Sequence, residues 1–135
     1  MTVSFSWETV RLFLHVLGAT IWVGGQFTLA GLVPTVRGLG PDATKHVARA
    51  FNRMAWPAFV LLIATGVWNV LTIEVGDTTL AYQMTLGVKL LAVAVSGIGA
   101  AVHSYGHGKA ALAIGGAMSA LGALAALFLG VLLAG

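Results

Sequence analysis

Four apolar stretches, each long enough to cross a lipid bilayer and parted by short polar breaks, take up nearly all of this chain. A helix needs roughly 20 apolar residues to span about 30 Å of hydrocarbon. The stretches near residues 7–33, 55–73, 80–103 and 110–134 each meet that length. Only 8% of the 135 residues are charged, against roughly a quarter in a typical soluble domain. Most of the surface must therefore face lipid. The pattern predicts an all-α, integral membrane four-helix bundle of up-down-up-down topology, a single four-helix domain over residues 1–135.

The breaks carry helix signals. The first stretch is expected to stop at Pro34. Gly40-Pro41-Asp42 then opens a second helix, since proline is tolerated in a first turn and an acid suits the N-terminal dipole. That helix begins with a polar, basic segment and meets hydrocarbon near Ala55, with Pro57 expected to kink it there. Glu74, Gly76, Asp77 and Thr78 form the next break. The run Ser104-Tyr105-Gly106-His107-Gly108-Lys109 forms the last.

Charge placement sets the expected orientation. Arg37, Lys45, Arg49 and Arg53 flank the first break and Lys109 lies in the third, so both should be cytoplasmic, in an inner or plasma membrane, with both termini outside. Arg11 opposes this assignment. The first apolar run is too long, with Glu8 and Arg11 near its start, to read as a cleavable signal peptide. Eleven charged side chains with no basic stripe exclude nucleic acid as a partner. The absence of cysteine excludes disulfides, zinc thiolates and iron–sulfur clusters.

Ionisable residues inside an apolar span are costly and mark function. His15 lies about two turns into the first helix and Lys89 about two turns into the third, at similar depth in such a bundle. His15, Gly18, Trp22 and Gly25 share one stripe of the first helix, and an imidazole, a glycine gap and a tryptophan could cradle a planar ligand. Thr65, Asn69 and Thr72 add polarity from the second helix. Lys89, Ser96 and His103 share a stripe on the third. Set against this, His15 could simply bond Thr65 or a carbonyl, and Lys89 could snorkel. Gly115, Gly116, Ser119, Ala120, Gly122 and Ala123 give the fourth helix a small-residue face. That face suits bundle packing, a homodimer seam, or room for a flat ligand.

The segment Leu14-His15-Val16-Leu17-Gly18-Ala19-Thr20-Ile21-Trp22-Val23-Gly24-Gly25 resembles the "LH…WxGG" first helix of the copper-resistance protein D (CopD) membrane domain, a pattern shared with HemJ-type protoporphyrinogen oxidases. Arg49 to Arg53 followed by Ala64-Thr65-Gly66 is similar to the family's "RF…ATG" segment, and Gly87-Val88-Lys89-Leu90-Leu91 to its "LxKLxL" third helix. The resemblance implies a membrane bundle and, through the HemJ branch, haem b, with its helix-one histidine at His15 and its helix-three lysine at Lys89. Through the CopD branch it implies copper movement. The chain departs from HemJ at Gln26–Ala30, where an arginine is missing, and at Phe51–Ala55, where "MExKL" is expected.

Three functions follow as expectations. The first is a b-type haem protein engaged in electron transfer or oxidoreductase chemistry. Its iron would take one histidine ligand per chain, His15, or a site shared across a dimer. Gly18, Trp22 and Gly25 would make room, Asn69 would line the pocket, and Lys89 would contact a propionate or serve as the second ligand. His103 is too far from Lys89 to serve, 14 residues on or about 20 Å along a helix. The second is a copper transport module using His15 and Met84, with few of the soft donors copper(I) prefers. The third is a non-catalytic membrane subunit of a larger complex.

Overall fold

A computed structural model describes residues 2–135. Among them there is no strand, and four helices are long and apolar enough to cross a membrane. They are α1 (Trp7–Arg37), α2 (Ala43–Leu71), α3 (Leu80–Tyr105) and α4 (Gly108–Ala134). The fold class is all-α, as the hydropathy pattern requires, and the protein is of the multi-pass membrane type. The chain divides into two compact units, Met1–Glu74 and Val75–Gly135, each an antiparallel helical hairpin.

The helix ends follow local chemistry. The Ser6 hydroxyl accepts the Thr9 amide to start α1, and Thr79 caps α3 in the same way through Tyr82. Asp42 occupies the N-cap of α2, as Gly40-Pro41-Asp42 predicts, although its side chain makes no capping bond. Gly40, at φ +137°, turns the chain between α1 and α2, and Gly108, at φ +90°, opens α4 three residues past the end of α3. Pro34 does not stop α1, contrary to expectation. The helix continues to Arg37 and is closed by the Gly38 amide on Thr35 O. Proline removes one backbone bond but keeps a helical φ, so one last turn survives it. Within α1, residues Thr20–Gly24 widen into a single π-helical turn, a feature that apolar spacing does not announce.

The second unit is joined by small residues. A methyl added to Gly99 would stand 2.5 Å from Ser119 N, one on Gly115 would stand 2.5 Å from His103 N, and one on Gly122 would stand 2.8 Å from Ala92 O. The two backbones are therefore in direct contact along Gly99, Gly115, Ser119 and Gly122, all of them buried. In lipid this close van der Waals packing replaces the hydrophobic drive that water supplies. The small-residue face of α4 is thus occupied by α3. Ser96, 1% exposed, adds a hydroxyl bond of 2.8 Å to Ser119 O. Ser96→Ala should lower the stability of the purified protein by only about 0.6 kcal/mol, since hydrogen bonds between membrane helices average that much. Thermal denaturation in detergent measures it.

Candidate functional site

The site candidate lies on the first unit, where α1 and α2 run antiparallel. Gly25 faces the Phe51 ring, Gly18 faces the backbone of Ala58 and Leu62, and His15 faces Gly66 and Thr65. At Gly18 the helices nearly touch, since an added methyl would lie 3.1 Å from Ala58 O. Trp22, 3% exposed, stacks on Phe59 with ring centroids 4.3 Å apart and meets Trp56 at 5.6 Å. Gly18, Trp22 and Gly25 do share one face, as their spacing indicates. In this structure that face is filled by α2, so these three residues join the hairpin and leave no cleft of their own.

His15 is half-buried at this seam. Its Nδ1 lies 2.9 Å from Thr65 Oγ1, and that hydroxyl is 2.7 Å from Leu61 O and 3.2 Å from Leu62 O. Counting protons assigns the tautomer. Both carbonyls can only accept, so the Thr65 hydroxyl donates back to its own helix. Its lone pair then receives the proton of His15 Nδ1–H. In the neutral imidazole this leaves the lone pair on Nε2, the form in which imidazole binds a metal. Gly66 makes the arrangement possible: a methyl there would press to within 3.4 Å of the imidazole Cε1.

One turn outward on each helix come Arg11 and Asn69. The Arg11 side chain is only 13% exposed and lies 3.9 Å from the carboxylate of Glu8, which is 70% exposed. Arg11 Nε and Asn69 Oδ1 are both buried without a hydrogen-bond partner. The sequence argument treats Arg11 only as a topology signal, because nothing in a linear reading sets residues 11 and 69 at one level. Thr72, also expected to face the site, bonds its own helix at Asn69 O.

The remaining candidates belong to the second unit. Lys89 is half-buried, with Nζ resting 3.1 Å from where a Gly130 methyl would stand. Gly130 thus provides a seat for the lysine on α4. Met84 is 63% exposed. His103 donates through Nδ1 to Leu112 O at 2.7 Å and lies over Gly116, anchoring the start of α4 to the end of α3. His107 and Lys109 are exposed, and His46, also exposed, bonds Asp42 O. Among the described residues no three His, Cys, Asp or Glu side chains gather to hold a metal ion.

His15 and Thr65 are therefore brought together within the first unit, Arg11 and Asn69 flank them, and Lys89 and Met84 sit in the other unit. No protein-family model matches the chain, and no curated protein or solved structure matches it.

Proposed function

We propose that this protein is a membrane-embedded b-type haem-binding protein serving electron transfer, in which His15 Nε2 would hold the haem iron. The observation that supports the reading is the Thr65 bond to Nδ1, which ties α1 to α2 and also fixes the imidazole. A metal-binding imidazole almost always ties down its other nitrogen, which fixes both tautomer and ring orientation. The donor count agrees. A porphyrin brings four nitrogens of its own, so one histidine per chain suffices. A bare copper ion needs several protein donors, and the soft ones that copper(I) prefers are few in a chain with no cysteine and 4 methionines.

Haem supplies one-electron iron chemistry when bound. The chain's own part is narrower. Thr65 holds the imidazole against rotation, Gly66 leaves it room, and the Trp22, Trp56 and Phe59 rings exclude water from the seam. We place the basic ends of the hairpins, with Arg37, Lys45, Arg49, Arg53 and Lys109, on the cytoplasmic side of an inner or plasma membrane. His15 then lies toward the outer half. Arg11 loses its weight against that orientation, because a buried side chain is not an interfacial anchor.

The test is a dithionite-reduced minus oxidised absorption spectrum of the full-length protein purified in detergent after expression with ample haem. Expected are a Soret band and sharp α and β bands in the reduced state. A featureless difference spectrum would sink the proposal.

A further inference from the structure

The register that sets His15 beside Thr65 sets a second pair at one level. Arg11 stands four residues before His15 on α1, and Asn69 four residues after Thr65 on α2, so each lies a turn further on the same face of its helix. Each presents a buried polar atom with no partner, Nε of Arg11 and Oδ1 of Asn69. A guanidinium 13% exposed inside an apolar span, with one loose carboxylate neighbour at 3.9 Å, calls for an anion. The Asn69 amide can be turned over, so that Nδ2 points where Oδ1 does now. Arg11 and Asn69 then offer N–H donors and a positive charge from two helices at one level of the hairpin. That level is one helical turn from the His15 imidazole.

We infer that Arg11 and Asn69 form a carboxylate subsite adjoining His15, and that its occupant is a propionate of the haem that His15 ligates. The inference rests on the haem reading. A ligand engaging both points carries a metal centre and a carboxylate on one molecule, the pairing that haem b presents. A lipid phosphate offers similar oxyanion chemistry, and the test separates the two.

The full-length protein is titrated with haem b and with haem dimethyl ester, whose propionates carry no charge, and the Soret absorbance is followed. The wild type should bind haem b at least tenfold more tightly than the ester. Arg11→Gln should bring the ratio close to one without moving the Soret maximum, because the iron ligand is unchanged. Asn69→Leu should reduce the ratio partway, and Arg11→Lys should retain part of it. Equal, tight binding of both porphyrins by the wild type overturns the subsite and leaves the haem reading standing. A tenfold preference that survives in the Arg11→Gln/Asn69→Leu double variant also overturns it. Failure of both porphyrins to bind overturns both readings together. Repeating the titration with phosphatidylglycerol in the micelles decides the occupant: an unaltered ratio supports the propionate, and a ratio that collapses to one assigns the subsite to the headgroup phosphate instead.

Discussion

His15→Ala should abolish the haem spectrum, and Thr65→Val should weaken it while leaving its shape intact. The two variants separate a ligand from the group that positions it. Alanine at 15 removes the imidazole, so neither Soret nor α band should appear at any haem concentration that saturates the wild type. Free imidazole added to this variant should restore part of the absorbance. Valine at 65 keeps the shape of threonine but offers no acceptor to His15 Nδ1–H, which now bonds Oγ1 at 2.9 Å. Loss of such an outer partner usually costs about 10–100-fold in metal affinity. Haem titration of the three proteins measures both effects. Retention of wild-type affinity by His15→Ala would remove His15 from the role of ligand. Unchanged affinity in Thr65→Val would mean that the hydroxyl only ties α1 to α2.

The largest loss of stability is expected from Gly115→Ala. Its methyl would meet His103 N at 2.5 Å and Gly99 O at 2.7 Å. Both neighbours are backbone, so no side chain can swing aside and the helices must part. Overpacking of this kind costs about 1–3 kcal/mol, and here the strain falls on a direct backbone contact between α3 and α4. Gly99→Ala, pressed against Ser119 N and Gly115 O, should behave alike. Gly87→Ala is the control, since nothing stands within 4 Å of its added methyl; it should be neutral or gain about 0.5–1 kcal/mol from reduced backbone freedom. Thermal denaturation in detergent, read as loss of the monodisperse elution peak, orders the three. If Gly115→Ala melts with Gly87→Ala, the α3–α4 contact is looser than described.

Those glycines also mark how far a linear reading reaches. Spacing along α4 identifies Gly115, Ser119 and Gly122 as one face, but periodicity names a face and not its partner. A seam between two chains and a seam within one hairpin have the same pattern. Four spans and most of their boundaries were readable because length, hydropathy and turn chemistry are local properties. Pro34 misled for a related reason: its effect depends on how much helix remains beyond it, and only one turn does. The His15–Thr65 pair was within reach because both are polar residues in apolar spans. Arg11 was not, since its meaning depends on where Asn69 stands, 58 positions along the chain.

The division of the molecule has a consequence for biosynthesis. The close approaches described above, His15 to Thr65, Gly18 to Ala58, Gly99 to Ser119 and Gly122 to Ser96, each join consecutive helices and lie within one unit. None of them needs a residue of the other unit. The first pair of spans can therefore close, with its histidine already held, as soon as residue 74 has left the ribosome. The translocon then receives the second pair as a separate delivery, and an error in its glycine seam would arise after the ligand-bearing half had been made.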